Sequence, residues 1–149
     1  MLDLPDLKEY EVPKKVMFQC VQRAAKHYDI SPFIIQTVVD IEGGKIGTVR
    51  KNTNGTYDLG VMQLNTVNFN KIKKRFPNTT YLDLILKPCV NIYVGSWFLS
   101  ESIKNANNDM LKGVGNYHSK TPSVHAKYLK RFLNRYKNNI REYLLSKKG

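Results

Sequence analysis

Glu42 is the residue that the sequence places best for acid–base chemistry. A helix is predicted from Pro32, and the residues three, four and seven positions before Glu42 share its helical face. These are Val39, Val38 and Ile35, so the carboxyl group rests on apolar side chains. Such a carboxyl loses part of the hydration of its charged form, which favours the protonated form and suits a general acid.

The helix that carries Glu42 is predicted to end at Gly43 and Gly44, because glycine readily adopts the left-handed conformation that closes a helix. The acid would then stand where a helix opens into a loop, as at the edge of a cleft. A polar residue that merely ends a helix has the same pattern, and for Glu42 alone that plainer interpretation is favoured.

A second polar segment makes a catalytic role for Glu42 more plausible than the pattern of its helix alone. Residues 60–65 read Gly-Val-Met-Gln-Leu-Asn and combine a backbone without Cβ, a flexible thioether and two amides. Amides both donate and accept hydrogen bonds, and methionine adapts its shape to irregular surfaces. The combination suits an uncharged polyhydroxylated or acetamido ligand such as a sugar.

Four sequence blocks occur in order between residues 16 and 136: Glu42 with its glycines, residues 54–65, residues 88–92 and residues 116–119. With these blocks the chain resembles the lytic transglycosylases of the goose-lysozyme-like superfamily, and within it the small type associated with conjugation, secretion or pilus systems. The resemblance implies a peptidoglycan enzyme that needs no cofactor or metal. It would cleave the MurNAc-GlcNAc β-1,4 bond, form 1,6-anhydroMurNAc, and open the wall for a transenvelope machine.

The resemblance also assigns roles to single residues. Glu42 would give a proton to the glycosidic oxygen and then, as a carboxylate, take one from the muramic C6 hydroxyl. Tyr57 could stack on a sugar ring or simply pack within its loop. His118 is expected to form hydrogen bonds rather than bind a metal, because it lacks zinc-site spacing. The expected substrate-binding residues are Met62, Gln63, Asn65, Tyr117, Tyr57 and His118. Among them, Tyr117 matches the aromatic hydroxyl that these enzymes place close to the glutamate.

One position departs from the pattern of these enzymes. Gly43 stands where many relatives have serine, so any hydroxyl that orients the acid must come from elsewhere, with Thr48 and Thr56 as candidates. Two other functions also stay open. One is a hydrolytic lysozyme (muramidase) in which Asp58 positions water, and the other is a non-catalytic basic module that binds peptidoglycan or nucleic acid.

The net charge of +12 indicates an anionic partner. From Lys120 onwards nine lysines and arginines face a single acid, Glu142. They are spread along an amphipathic helix without a nucleic-acid-reading motif, so a solvated helix face is the plainer interpretation and nucleic acid is not expected. The carboxylates of cell-wall peptides would be attracted by the same field.

The expected fold is a mainly α, lysozyme-like single domain over residues 13–149, with a small β-hairpin near residues 45–60. Residues 1–12 are interpreted as a lead-in that packs loosely if at all. A nearly all-apolar helix from Pro88 should form the centre, and Gly113 and Gly115 should interrupt a short helix. In the last helix Leu129, Leu133, Tyr136, Ile140, Tyr143 and Leu144 recur at a rhythm near 3.5. No apolar run reaches the roughly 18 residues of a membrane span, and the protein is expected to be a monomer.

Cys20 and Cys89 both fall on faces predicted to be buried. Their spacing allows a disulfide and two free buried thiols equally, and the similar cysteine pair of the specialised transglycosylases favours the disulfide. Residues 1–6 carry acids where a secretory leader would be cationic. This leaves a cytoplasmic protein or the processed form of an exported one, and the cysteines favour an exported, periplasmic protein.

Overall fold

The computed structural model describes residues 2–148; Met1 and Gly149 of the predicted lead-in and domain lie outside this range. Its helices are α1 (Lys14–Tyr28), α2 (Pro32–Glu42), α3 (Phe69–Arg75), α4 (Tyr81–Leu86), α5 (Pro88–Asn105), α6 (Met110–His118) and α7 (Pro122–Ser146). Strands β1 (Val49–Lys51), β2 (Tyr57–Leu59) and β3 (Leu64–Asn65) form an antiparallel sheet in the order β1-β2-β3. The predicted mainly α fold with a small hairpin is confirmed. None of the helices within residues 2–148 is long and apolar enough to cross a membrane.

Helix α5 forms the centre of the core, as its composition predicts. Ile92 and Leu99 have no exposed surface, and α1, α4 and α6 all pack against this helix. The predicted disulfide between Cys20 and Cys89 is confirmed and joins α1 to the first turn of α5, with 4.9 Å between the Cα atoms. Closing so long a loop removes unfolded-state entropy worth on the order of 4 kcal/mol.

Helix α2 begins and ends at the predicted signals. The Ser31 hydroxyl accepts a hydrogen bond from the Phe33 N–H at 3.2 Å and caps the first turn. At the other end Gly43 has φ of +72°, and its N–H donates to the Val39 carbonyl oxygen at 3.2 Å. Glu42 is therefore the last helical residue, and the chain turns sharply directly after it.

A buried amide fixes the loop that follows β2. Asn91 of α5 has no exposed surface; its Oδ1 accepts from the Met62 N–H at 2.7 Å. Its Nδ2 donates to the carbonyl oxygens of Leu59 at 2.9 Å and Leu84 at 2.8 Å. Because a buried polar group is costly unless it is paired, these three bonds hold the loop against α5 and α4 in one position.

The expected interruption at Gly113 and Gly115 is wrong, since α6 continues through both. A Cβ atom at Gly113 would overlap the backbone of Ile103 in α5, and one at Gly115 would overlap the imidazole of His125 in α7. The two glycines therefore allow three helices to approach closely instead of ending α6.

Loose packing of the lead-in is also wrong for the part that the structure describes. Tyr10 and Ile46 exchange two backbone hydrogen bonds of 2.9 and 3.0 Å. The apolar side chains of this segment pack against the core without following a helical or strand period, which explains why the sequence pattern did not reveal them. They are Leu2, Leu4, Leu7 and Val12.

Candidate active site

Glu42 lines a cleft of about 900 Å³ that is bordered by α2, the sheet, α5, α6 and α7. The sheet contributes Asp58 and Asn65, and the end of α6 contributes Tyr117 and His118. Five of the residues predicted from the sequence thus border one cavity, although they come from distant parts of the chain. They are Glu42, Gln63, Asn65, Tyr117 and His118.

The Glu42 carboxylate is mostly buried and is held by α7. Its side chain is 11% exposed, and the Tyr128 hydroxyl donates a hydrogen bond of 2.9 Å to Oε2. His118 Nδ1 lies 3.7 Å from the same oxygen, too far for a hydrogen bond. The imidazole stacks on the Tyr128 ring, with 4.3 Å between centroids. The acid thus has a neutral hydroxyl as its close partner and one titratable ring nearby.

Two tyrosine hydroxyls near the acid keep their protons. Burial raises the pKa of Tyr128 well above its usual range, and the negative charge of Glu42 raises it further. Burial likewise raises the pKa of Tyr117, with smaller contributions from Glu42 and Asp58. The Tyr117 hydroxyl donates to the Met62 carbonyl oxygen at 3.0 Å. Tyr128 and not Tyr117 therefore supplies the hydroxyl at the carboxylate.

The oxygen atoms of Asp58 are fixed by neutral donors. Asn65 Nδ2 donates to Oδ1 at 2.9 Å, and Asn52 Nδ2 donates to Oδ2 at 3.2 Å. Asn65 is itself held, because its Oδ1 accepts from the Val67 N–H at 2.9 Å and caps the short 3-10 helix Thr66–Asn68. This part of the cleft therefore presents oriented polar atoms rather than mobile ones.

Gln63 sits in a tight turn beside the acid. Its φ is +54°, and its Nε2 donates to the Gly60 carbonyl oxygen at 2.8 Å. A Cβ atom at Gly44 would overlap that same carbonyl, so only glycine lets the turn approach the end of α2. Gln63 Oε1 is buried and has no partner among residues 2–148, so a hydrogen-bond acceptor is left unsatisfied at the cleft.

Two expected sugar contacts are wrong at the level of the side chain. Met62 is fully buried and packs against Gly95 of α5, so only its backbone takes part in the site. Tyr57 is 3% exposed, and its hydroxyl accepts a long hydrogen bond of 3.4 Å from the Leu4 N–H. The side chains of both residues lie in the core beneath the cleft.

The expected role of Thr48 and Thr56 is also wrong. The Thr48 hydroxyl accepts from the Lys45 N–H at 2.9 Å, and the Thr56 hydroxyl donates to Asn54 Oδ1 at 2.7 Å. Gly43 carries no side chain that could help, although space for one is open. Its left-handed φ is the reason that glycine suits this position.

Several cleft residues were missed from the sequence. The nearly all-apolar pattern of α5 predicts that Trp97 and Phe98 lie in the core, but they are half-buried and border the cleft. Tyr128 was overlooked because the rhythm of leucines beside it is stronger. The signal that could have found it is the spacing of Tyr128, Phe132, Arg135 and Asn139, which places one aromatic and polar stripe on α7. Cationic side chains also border the cleft, namely Arg50, Lys71, Lys120 and Arg131.

Comparison with models of protein families matches residues 19–125 to the Transglycosylase SLT domain. The chain belongs to the transglycosylase SLT domain family. This family consists of lytic transglycosylases, and its substrate is peptidoglycan. The matched range includes α2, the sheet, α5 and α6, and so covers most of the cleft.

Curated relatives agree with the assignment to the SLT domain family. The chain is 27% identical over 124 residues to invasion protein IagB of Salmonella typhimurium, covering 83% of this chain and 76% of the relative. IagB of Salmonella typhi has the same identity and coverage. A "Peptidoglycan-binding-like protein" of Escherichia coli O157:H7 is 31% identical over 86 residues, covering 54% of this chain and 52% of the relative.

Proposed function

We propose that this SLT domain is a peptidoglycan lytic transglycosylase in which Glu42 acts first as the acid and then as the base. The observation that carries the proposal is the setting of the Glu42 carboxylate. It is mostly buried, it borders a large cleft, and its close partner is the neutral hydroxyl of Tyr128. A carboxyl without a fixed cationic partner can exist in both protonation states, as a group that gives and then recovers a proton must.

The chemistry needs only this one carboxyl. Protonated Glu42 gives its proton to the oxygen of the MurNAc-GlcNAc bond, and the bond between that oxygen and the muramic C1 breaks. The resulting carboxylate takes the proton of the muramic C6 hydroxyl, whose oxygen bonds to C1 and closes the 1,6-anhydro ring. Glu42 is protonated again at the end, and water is not consumed. The Tyr128 hydroxyl stabilises the carboxylate between the two proton transfers.

The role of Asp58 separates this reaction from hydrolysis. A lysozyme normally uses a second carboxylate to form a covalent intermediate or to activate water. Two amides already occupy Asp58, one on each oxygen. We infer that Asp58 orients Asn65 and substrate polar groups and does not activate water.

The lining of the cleft fits a glycan strand that carries peptides. The half-buried rings of Trp97 and Phe98 offer apolar surface to sugar rings. The glycan backbone itself is uncharged. The cations Arg50, Lys71, Lys120 and Arg131 at the same cleft therefore match the carboxylates of stem peptides.

We further propose that the protein acts in the periplasm and opens the wall locally for a specialised envelope-spanning machine. The disulfide supports an oxidising compartment. The name of the Salmonella relatives, invasion protein, supports a dedicated task rather than general wall turnover.

Digestion of purified sacculi followed by mass analysis of the muropeptides tests the activity. The wild type should release 1,6-anhydro products, and Glu42→Gln should release none while keeping its unfolding temperature. Unchanged wall digestion by Glu42→Gln would refute the role of this acid. Reducing-end products heavier by one water would show a muramidase instead, and salt-sensitive DNA binding without any wall digestion would show a binding module.

A further inference from the structure

Helix α7 has one covered face and one uncovered face. Tyr128 and Phe132 are buried, and Tyr143 contacts Phe33 of α2 with ring centroids 5.2 Å apart. Leu129 and Tyr136 of the predicted rhythm also pack against the core, but the later leucines are exposed. Leu133, Leu144 and Leu145 are 37%, 55% and 60% exposed. These three leucines are thus left largely in solvent.

The uncovered face mixes apolar and cationic side chains. Leu133, Ile140 and Leu144 follow one another at steps of seven and four residues and share one side of the helix. The exposed cations Lys137 and Arg141 lie on the same side at matching steps, and Lys148, just after the end of α7, borders the same surface pocket. The acid Glu142 points elsewhere, since its charge acts on Arg135 at the α2 contact. Among the described residues, this face therefore carries positive charge without an acid of its own.

The apolar and cationic side chains of this face lie close together, because Ile140, Leu144, Leu145, Lys137, Arg141 and Lys148 border one shallow surface pocket. Helix α7 continues beyond the Phe33 contact to Ser146. Leu144 and Leu145 point about 100° apart, because a helix has 3.6 residues per turn. So wide an apolar band, flanked by long cations, is typical of helices that lie in a lipid interface.

We propose that residues 133–148, the second half of α7 and the two lysines that follow it, dock on an anionic phospholipid surface. Leu144 and Leu145 enter the boundary between headgroups and acyl chains, and Lys137, Arg141 and Lys148 reach the phosphates. The body of the domain lies on the other side of α7, where α2 packs, so it does not obstruct the contact. The proposal does not depend on the reaction at the cleft.

Cosedimentation of the full chain with vesicles tests this docking. The protein should bind vesicles of phosphatidylglycerol and phosphatidylcholine, and added salt should weaken the binding. It should not bind vesicles of phosphatidylcholine alone. Leu144→Asp combined with Leu145→Asp should lower the partition coefficient by about tenfold or more. Lys137→Glu combined with Arg141→Glu should have an effect of similar size.

A matched charge reversal on α1 separates local docking from net charge. Arg23→Glu combined with Lys26→Glu changes the net charge equally at exposed positions of another helix, and its loss of binding should be clearly smaller. Equal losses for the two charge reversals would overturn the proposal, and so would failure of the wild type to bind the anionic vesicles. A lipid-independent dimer that Leu144→Asp dissolves would also overturn it, because a second chain would then cover the face.

Discussion

Asp40 and Glu42 are two carboxylates on the last turns of α2, and α7 binds both of them in different ways. Asp40 Oδ2 accepts from Arg135 Nε at 2.9 Å and from Asn139 Nδ2 at 3.0 Å, and Oδ1 accepts from Gln36 at 2.9 Å. Glu42 accepts from the Tyr128 hydroxyl alone among the described residues. The two acids share a helix and a packing partner, but only Asp40 has a permanent cation.

This difference shows how one helix can present a structural acid and a reactive acid. The hydrogen bond to Asp40 raises the pKa of Arg135, which is ionised at any accessible pH in any case. The pair is therefore fixed as two opposite charges and serves to hold α7 on α2. The hydrogen-bond partner of Glu42 is the neutral Tyr128 hydroxyl, and within residues 2–148 only the His118 ring lies within ion-pair distance of its carboxylate. The charge of the partner, more than burial, distinguishes the two roles.

The largest effect should come from exchanging the two acids for their amides in turn. Glu42→Gln keeps the shape of the side chain but cannot transfer a proton, so the turnover rate on sacculi should fall at least about 100-fold. Asp40→Asn should keep the rate within a few-fold, when both variants are compared as folded protein by circular dichroism. Equal losses of turnover rate for Glu42→Gln and Asp40→Asn would show that the two acids do not have different roles.

Removal of the neutral partner should give an intermediate effect. Tyr128→Phe takes the only described hydrogen bond from the Glu42 carboxylate, so we expect a loss of roughly tenfold in rate, equivalent to about 1.4 kcal/mol. The ring and its stacking on His118 remain, and the unfolding temperature should change little. A rate equal to that of the wild type would show that the hydroxyl does not stabilise the carboxylate.

Replacement of the structural acid, Asp40, should lower the stability of the fold rather than the reaction rate. Asp40→Asn leaves Arg135 without its carboxylate at a partly exposed site, and the free energy of unfolding should fall by about 1 kcal/mol. Urea titration measures this loss. Arg135→Gln should give a similar loss, and the double variant should lose less than the sum of the two. Additive losses would mean that the pair is not coupled.

The parts of the site that depend on neighbouring residues in the sequence could be predicted. Ser31, Gly43 and the apolar face of α2 define the helix and the position of Glu42 without help from the rest of the chain. The hydroxyl that bonds the acid lies 86 residues away, and no local pattern shows that contact. Met62 was misjudged because its loop has no period, and only the buried bonds of Asn91 decide that its side chain turns inward.

Tertiary packing also gives two other sequence patterns, in α6 and α7, a role that differs from the predicted one. Gly113 and Gly115 resemble helix breakers, but close contact with Ile103 and His125 makes them part of α6. The leucines of α7 give the clearest periodicity, but the polar and aromatic stripe with Tyr128 faces α2. Local rules thus predicted the helices, and tertiary contacts decided which face of α7 is buried.

The smallest effect concerns a third carboxylate, Asp83, which like Asp40 has a cationic partner. Asp83 caps α4 with Thr80 and lies 2.9 Å from Lys87 Nζ; its pKa is lowered to about 2, first by Lys87. A lowered pKa stabilises the fold above the ordinary value near 4, and this contribution is lost as the pH falls towards 2. Asp83→Asn should therefore narrow the difference in unfolding temperature between neutral and acidic buffer. An unchanged difference would show that the cap does not contribute.

Digestion of sacculi in water enriched in heavy oxygen tests most directly whether the single acid Glu42 carries out both proton transfers without a water molecule. The muropeptides released by the wild type should be 1,6-anhydro sugars that contain no heavy oxygen, since the muramic C6 hydroxyl attacks C1. Incorporation of one heavy oxygen at the new muramic end would contradict this mechanism and assign the cleft to hydrolysis.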